Sequence, residues 1–177
     1  MRGAGPRPAA HIESGMSTTI RSATAADVPL ILDFIQQLAE YEQLRHACVA
    51  TEERLRVSLF GETPAAEVLI AEADGVPAGF ALFFHSYSTF LAQRGIWLED
   101  LFVRPEFRGL GLGRKLLAQL AVLALARNCG RVEWNVLDWN ASAIGFYRSL
   151  GAEPMDEWTT FRMTGDALHA LAISTGG

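Results

Sequence analysis

The sequence predicts a mixed α/β (α+β) fold in which helices cover both faces of a largely antiparallel central sheet. The first observation is the order of predicted elements, β-α-α-β-β-β-α-β-α-β, in which three consecutive strands have no helix between them. The second is Asp74-Gly75 between two apolar strand patterns, which indicates a tight antiparallel hairpin. The third is the length of 177 residues, which suits one domain with a sizeable core.

The first half of the chain is predicted to contain a strand, two helices and the hairpin. Apolar residues recur at helical spacing between residues 25 and 44, which predicts the first helix. Thr51 precedes two glutamates and is a good N-cap for the second helix, which Gly61 ends. The predicted elements are strand 19–22, helices 25–44 and 52–60, and strands 67–73 and 77–85.

The second half begins with a polar loop and a strand that Pro105 ends. A glycine-rich turn then runs directly into an apolar helix, and Asn140 and Gly151 are typical of the start and end of a later helix. The predicted elements are loop 87–95, strand 96–104, helix 114–128, strand 132–137, helix 141–150, one or two strands within 155–163, and helix 166–172.

Composition and charge exclude several classes of protein. Half of the residues are hydrophobic and 20% are charged, which excludes a disordered chain. No apolar run reaches the roughly 20 residues that a membrane span needs, so we expect no membrane partner. The net charge of −5 disfavours a nucleic-acid partner, because contacts to phosphates usually require a basic face.

The chain ends and the cysteines lead to further expectations. Residues 1–15 are rich in glycine and proline and lack the apolar middle of a signal peptide, so we expect a disordered tail or extension. The folded domain is then expected to span residues 16–173. Cys48 and Cys129 are too few for a disulfide scaffold or a metal site, which predicts reduced thiols, a cytoplasmic location and no metal.

The glycine-rich turn between the strand and the apolar helix is suited to binding phosphate. Glycines allow the backbone N–H groups to approach an anion, and the N-terminus of the following helix adds its positive end. Arg108 and Arg114 flank the turn, and a guanidinium matches the oxygens of a phosphate. The alternative is a turn that merely connects strand and helix, and the two arginines favour phosphate binding.

Two common phosphate-binding motifs do not fit this turn. A P-loop requires Gly-Lys followed by Ser or Thr, whereas Lys115 follows Arg114 and precedes Leu116. A dinucleotide fingerprint requires Gly-x-Gly-x-x-Gly after the first strand, whereas the third glycine here comes one position early and past the middle of the chain. Neither motif therefore identifies the ligand of this turn.

Several separate stretches carry a resemblance to a known family. Arg108-x-x-Gly111-x-Gly113 matches the Arg/Gln-x-x-Gly-x-Gly/Ala signature of the Gcn5-related N-acetyltransferases. Between about residues 20 and 163 the chain most resembles the diamine (spermidine/spermine) N-acetyltransferases of that superfamily. The other matching stretches are residues 20–27, 38–42, 98–103 and 139–152. The resemblance implies the acetyl-CoA N-acyltransferase fold and acetyl transfer from acetyl-CoA to a primary amine.

The resemblance implies a set of residues that bind acetyl-CoA as co-substrate, with no metal. The end of the third consecutive strand is expected to offer backbone groups to the acetyl-pantetheine arm, the turn to hold the pyrophosphate, and the later helix to contact the coenzyme near the thioester. These residues are Leu101, Phe102 and Val103 in the strand, Arg108, Gly109, Leu110, Gly111, Leu112, Gly113 and Arg114 at the turn, and Asn140 and Ala143 in the helix.

Two residues are candidates for proton transfer. An amine attacks only in its neutral form, which is about one molecule in a thousand at pH 7, so a carboxylate that accepts its proton is useful. The resemblance assigns this role, direct or through water, to Glu99, and assigns protonation of the leaving thiolate to Tyr147. Asp100 is expected to point to the opposite face of the strand and to be structural.

Tyr41 and Glu42 match positions that line the amine cleft in the family, together with Glu99. A carboxylate and an aromatic face both attract ammonium groups. The alternative is that Tyr41 and Glu42 form a solvated helix end, and the residues themselves leave both interpretations open. The diamine enzymes have Asp-Pro-Trp where this chain has Ser88-Thr89-Phe90, so the acid that helps to hold the distal end of a polyamine is absent.

The sequence therefore predicts an N-acetyltransferase that acts on a small amine, either a diamine or polyamine or a thialysine-like amino acid. Direct attack in a ternary complex and a homodimer follow from the resemblance. Two alternatives are an acyl-CoA-binding regulatory module with little catalysis and a peptide N-acetyltransferase.

Overall fold

The structure is a computed structural model that describes residues 16–174, so the predicted tail at 1–15 lies outside the described residues. The described chain divides into two compact units, one that ends at Asn135 and one that begins at Val136. The first unit contains β1 (Thr18–Ser22), α1 (Val28–Tyr41), α2 (Glu52–Phe60), β2 (Glu67–Ala73), β3 (Val76–Ser88), β4 (Gln93–Val103), α3 (Leu112–Ala126) and β5 (Val132–Trp134). The second contains α4 (Ala141–Ser149) and α5 (Gly165–Ile173).

The five strands of the first unit form one sheet in the order β1-β2-β3-β4-β5. The first four strands pair antiparallel, and β5 pairs parallel with β4. Asp74 and Gly75, both with positive φ, connect β2 to β3 as the sequence predicts. The mixed, largely antiparallel sheet is thereby confirmed.

Helices α1 and α2 cover one face of the sheet. Phe34 of α1 stacks on Phe80 of β3 with ring centroids 5.3 Å apart, and Phe102 of β4 completes the group. These three side chains are almost fully buried, and each large aromatic removed from water stabilises the fold by about 1.5–3 kcal/mol. The other members of this core are Val28, Ile31, Leu38, Leu55, Leu59, Val68 and Ile70.

Helix α3 covers the opposite face. Its buried residues recur at helical spacing and are Leu112, Leu116, Leu117, Leu120 and Ala124. Near its C-terminal end, the guanidinium of Arg127 lies 5.9 Å from the ring centroid of Phe83. Phe83 is three residues from Phe80 in the same strand, so its side chain points to the opposite face of the sheet. Helices on both faces of the sheet are therefore confirmed for the first unit.

Several predicted boundaries are wrong, for local reasons. Helix α1 ends at Tyr41 rather than at residue 44, because Gln43 has a φ of 61° and the Leu44 N–H bonds to the Ala39 carbonyl. Helix α3 ends at Ala126 rather than at residue 128. Asn128 has a φ of 53° and turns the chain out of the helix two residues before Gly130, the residue predicted to end it. Strands β3 and β4 extend into the predicted loop 87–95, and β5 stops at Trp134.

The second unit differs most from the prediction. Helices α4 and α5 are confirmed, and Gly151, with a φ of 87°, ends α4. Residues 155–163 form no strand in the described part of the chain, because regular backbone pairing is absent there. No helix within residues 16–174 is long and apolar enough to cross a membrane.

Candidate active site

A β-bulge interrupts the pairing of β3 with β4 at Glu99. Leu82 lies opposite Asp100, the next pair is Phe83 with Leu98, and Glu99 is the extra residue between them. The Glu99 side chain is exposed and accepts a hydrogen bond of 2.9 Å from the Trp97 indole N–H. A bulge bends its strand and re-aims nearby side chains, so this position in β4 departs from regular alternation.

The same bulge marks the point where β4 and β5 separate. Strand β5 pairs with β4 at Ile96, Trp97 and Leu98, and the pairing recorded for the described residues stops there. The part of β4 that follows, residues 99–103, therefore has β3 on one side and no β5 partner on the other. Backbone groups on that side of residues 99–103 have no β5 partner, and their use by a pantetheine arm stays a prediction.

The side chains of residues 101–103 are used mainly by the fold. Phe102 is 4% exposed and packs in the α1 core, while Leu101 and Val103 are half-buried and lie opposite Ala81 and Gly79. Only the backbone of Phe102 is therefore available to a ligand, and the use of main-chain groups by the coenzyme stays a prediction.

The Asp100 carboxyl group lies near two other acids, a grouping that the sequence alone did not predict. It lies opposite Leu82, which packs against the α1 core, so its carboxyl group faces the side of the sheet that α1 covers. Burial, together with the charges of Glu99 and Glu42, raises the pKa of Asp100 to about 6. The predicted structural role relied on strict alternation, which the bulge at Glu99 breaks. Two adjacent acids in an apolar strand were the available signal.

Tyr41 and Glu42 lie at the C-terminal end of α1. Glu42 is the C-cap residue, and its backbone N–H donates to the carbonyls of Leu38 and Glu40. Burial raises the pKa of the Glu42 carboxyl group. The structure therefore brings Glu42 and Asp100 close enough for their charges to interact. The negative end of the helix dipole also disfavours a second anion here and favours a cation.

The glycine-rich turn has the backbone shape that binding of an anion requires. Gly109 and Gly111 have φ values of 84° and 74°, and space is open where a Cβ would stand at either position. Gly111 is the N-cap of α3, so the N–H groups of Leu112, Gly113 and Arg114 belong to the unbonded first turn. The Leu112 side chain is buried, which leaves only its backbone for a ligand.

The two arginines at the turn differ in their surroundings. Arg114 is exposed in the first turn of α3. The Arg108 guanidinium lies 4.9 Å from the centroid of the Tyr41 ring, and its Nε donates to the Val103 carbonyl over 3.2 Å. The turn, its arginines and the free N–H groups together fit a diphosphate. Sequence reasoning assigned Arg108 and Tyr41 to different ligands and did not anticipate their contact.

The second unit carries Asn140, Ala143, Tyr147 and their helix α4. Asn140 is the N-cap, and its Oδ1 accepts a hydrogen bond of 3.2 Å from the Ala143 N–H. The Tyr147 ring lies next to that of Phe146, with centroids 5.4 Å apart. The sequence correctly identified Asn140 as the helix start, while the coenzyme and acid roles of these residues stay predictions.

The end of β3 carries Ser88, which stands where the diamine enzymes have an acid. Ser88 is 7% exposed, and its Oγ accepts a hydrogen bond of 3.3 Å from the Leu91 N–H at the hairpin end. Phe90 is 95% exposed. The position of the missing acid is therefore a buried residue that closes the hairpin turn.

Comparison with known proteins identifies the family. Residues 35–152 match the acetyltransferase (GNAT) family. The chain is 42% identical over 164 residues to thialysine N-epsilon-acetyltransferase of Bos taurus, with 86% of this chain and 96% of that protein covered. It is 37% identical over 201 residues to L-ornithine N5-acetyltransferase NATA1 of Arabidopsis thaliana, with 88% of each covered.

A solved structure has the same fold. An integron cassette protein from the mobile metagenome of V. cholerae is 28% identical, with a TM-score of 0.75 over 89% of this chain and 99% of that one. The family match spans more than half of the chain and includes β4, the glycine-rich turn and α4. The chain therefore belongs to the acetyltransferase (GNAT) family.

Proposed function

We propose that this protein transfers the acetyl group of acetyl-CoA to the side-chain amine of a small basic amino acid or to a short diamine. The relatives named for thialysine and L-ornithine, both covered over most of their length, support a substrate of this size and charge. A polyamine fits less well, because the distal acid of the diamine enzymes is replaced by the buried Ser88.

The observation that carries the proposal is the meeting of carboxyl groups at the end of α1. Glu42, Glu99 and Asp100 all contribute to one electrostatic environment, in which each ionised acid makes ionisation of Asp100 more costly. A substrate ammonium would remove that mutual repulsion and gain an ion pair with reduced exposure to water. Tyr41 precedes Glu42 at the end of the same helix, and in the proposed site its aromatic ring also attracts the ammonium group.

The proposed reaction is direct attack in a ternary complex. Glu99 accepts a proton from the substrate ammonium, directly or through a water molecule, which leaves a neutral amine. The nitrogen lone pair attacks the thioester carbonyl carbon, and a C–N bond forms as the carbonyl becomes an oxyanion. The carbonyl then re-forms as the C–S bond breaks, and the departing thiolate takes a proton from the Tyr147 hydroxyl group. The amide nitrogen, which is positively charged after the attack, loses its extra proton to solvent or back to the Tyr147 phenolate, which gives the neutral amide.

The proposed coenzyme contacts follow the open side of β4 and the turn. Backbone groups of residues 101–103 bind the pantetheine arm, and the N–H groups of residues 112–114 with Arg108 and Arg114 bind the diphosphate. Asn140 and Ala143 at the start of α4 contact the coenzyme near the thioester.

The test is an amine panel with matched variants. Release of CoA is measured with thialysine, lysine, ornithine, putrescine and spermidine, and acetylated products are identified by mass spectrometry. We expect the basic amino acids to be better substrates than spermidine. Asp100→Asn and Glu42→Gln should raise the KM for the amine about tenfold or more, since each removes one attractive charge.

The control is Glu62→Gln, which removes an exposed acid in the segment between α2 and β2 and should leave the KM unchanged. Unchanged KM values for Asp100→Asn and Glu42→Gln would contradict the proposed amine site. Tight acetyl-CoA binding without turnover on any amine, or acetylation of peptides only, would contradict the proposed activity.

We also propose that residues 16–173 form one N-acetyltransferase domain that works as a homodimer in the cytoplasm, without a nucleic-acid or membrane partner. Light scattering that gives a monomer mass would exclude the dimer. Two separate unfolding transitions would exclude a single cooperative domain.

A further inference from the structure

The Arg108 side chain connects the turn assigned to the coenzyme with the helix assigned to the amine. Its Nε donates to the Val103 carbonyl at the end of β4, and its guanidinium carbon lies over the Tyr41 ring at the end of α1. Among the described residues, its two Nη atoms have no hydrogen-bond partner. A guanidinium held in this way still offers its outer edge to an anion.

We propose that Arg108 and Tyr41 act as one unit that couples the coenzyme site to the amine site. The Tyr41 ring and the Val103 carbonyl pre-orient Arg108 for the coenzyme diphosphate. A diphosphate bound to the Nη atoms in turn fixes Arg108, and thereby holds Tyr41 at the substrate end of α1. Tyr41 thus positions Arg108 for the coenzyme, and Arg108 positions Tyr41 for the amine. The amine half of this coupling rests on the proposed function, and the coenzyme half does not.

The physical reason is the freedom that an exposed arginine loses on binding. Arg108 is exposed, so fixing its side chain for a diphosphate costs conformational entropy. Contact with Tyr41 reduces this cost before the coenzyme arrives, because the ring face and the Val103 carbonyl favour one orientation. If the bound coenzyme in turn holds Tyr41 for the amine, linkage requires that the bound amine tighten the coenzyme by the same factor as the coenzyme tightens the amine.

The first measurement is calorimetric binding of CoA in the absence of any amine. Tyr41→Leu removes the ring and should weaken CoA binding roughly two- to fivefold, the range of an exposed cation–π contact. Tyr41→Phe keeps the ring face and should bind CoA as the wild type does. Tyr87→Leu is the matched control, because Tyr87 is an exposed tyrosine near the end of β3, and it should leave CoA binding unchanged.

A double-mutant cycle separates this coupling from a general loss of structure. Arg108→Lys keeps the charge and loses the planar group, so it should weaken CoA binding by itself. In Arg108→Lys the further change Tyr41→Leu should have no additional effect on CoA binding. Additive effects of the two changes, or wild-type CoA affinity in Tyr41→Leu, would overturn the proposal. Circular dichroism and the Tm of each variant establish that it is folded.

The second measurement tests the amine half. Thialysine binding is measured with and without saturating CoA, and we expect CoA to tighten it roughly two- to fivefold in the wild type and in Tyr41→Phe. In Tyr41→Leu that factor should fall to about one. A wild-type factor of one would overturn the amine half. If no amine of the panel is acetylated but Tyr41→Leu still weakens CoA binding, the proposed function is overturned and the coenzyme half of the coupling is supported.

Discussion

Asp100 of β4 lies directly opposite Leu82 of β3, at the last position before the register shifts at Glu99. This pairing directs the Asp100 carboxyl group towards the α1 side of the sheet, where Glu42 ends the helix. An acid on an exposed strand has an ordinary pKa, whereas burial and two neighbouring acids raise that of Asp100 to about 6. The bulge thus brings a carboxyl group that titrates near neutral pH to the proposed amine site.

The raised pKa predicts that Asp100 destabilises the folded protein at neutral pH. Below the ordinary value of 3.8 the acid is neutral in both states and costs nothing. As the pH rises from there to about 6, the folded state holds the proton more tightly than the unfolded state, so the wild type loses stability. Asp100→Asn should therefore be the more stable protein at pH 8, by up to about 3 kcal/mol.

Urea denaturation of both proteins between pH 4 and pH 8 measures this difference. The advantage of Asp100→Asn should grow between pH 4 and pH 6 and then level off. Asp156→Asn, at an exposed position, is the control and should differ from the wild type by less than about 0.5 kcal/mol at every pH. An advantage that does not depend on pH would contradict the raised pKa.

Glu99→Gln should lower kcat/KM for the amine about a hundredfold near pH 7, because the proton of the ammonium loses its acceptor. The loss should shrink as the pH approaches 10, where the amine is already neutral without help. Initial rates of CoA release across this pH range provide the measurement. A constant loss at all pH values would indicate that Glu99 binds the substrate and does not accept a proton.

Tyr147→Phe should lower kcat about a hundredfold, because the thiolate then leaves without a proton donor, while acetyl-CoA binding stays close to that of the wild type. Tyr87→Phe removes a hydroxyl group from an exposed tyrosine and is the control. Initial rates and calorimetric binding are compared for the two variants. A wild-type kcat in Tyr147→Phe would exclude the proposed acid.

Much of the first unit could be predicted from local patterns. Asp74-Gly75 and Thr51 each have a direct structural effect, as a hairpin turn and as an N-cap, and both are confirmed. The error at the end of α1 arose because Gln43 adopts a positive φ. Glycine commonly has this conformation at a helix end and glutamine rarely does, so the residue type did not indicate that the helix ends there. Residues 155–163 have strand-like composition, but composition does not supply a pairing partner.

For the candidate site, the sequence could propose residues but not the contacts between them. The spacing of Arg108, Gly111 and Gly113 indicated an anion site, since each residue type has a specific backbone or charge role. The bulge at Glu99 results from the pairing of two strands, so no single segment encodes it. The contact of Arg108 with Tyr41 joins residues 67 positions apart in the sequence, which only the tertiary fold brings together.

Gly111→Ala should weaken CoA binding and also destabilise the protein by about 1–3 kcal/mol. Gly111 has a φ of 74°, which an alanine adopts only under strain. Gly113 lies inside the first turn of α3, where alanine is a better helix former, so Gly113→Ala should not destabilise the protein. Thermal unfolding and CoA calorimetry of the pair provide the test. Equal stability of Gly111→Ala and the wild type would contradict the required backbone shape.

A group of ion pairs ties the sheet to the start of α1, and it predicts the opposite pH dependence to that of Asp100. Arg21 donates to both carboxylate oxygens of Asp27 over 2.8 and 2.9 Å, and its Nε donates to Glu72 over 2.7 Å. Asp27 also accepts a hydrogen bond of 2.7 Å from the Thr24 N–H in a capping box. The hydrogen bonds from Arg21 hold the pKa of Asp27 well below its usual range.

Asp27→Asn should therefore destabilise the protein by about 1–2 kcal/mol at pH 7, because hydrogen bonds to a charged group are lost while the partly exposed Arg21 stays hydrated. A lowered pKa contributes stability above the unfolded value of 3.8, and that stability is lost as the pH falls below it. The difference from the wild type should accordingly shrink below about pH 4, whereas the difference for Asp100→Asn grows between pH 4 and pH 6. Urea denaturation of both variants over one pH series tests the two signs together, and parallel curves would contradict both assignments.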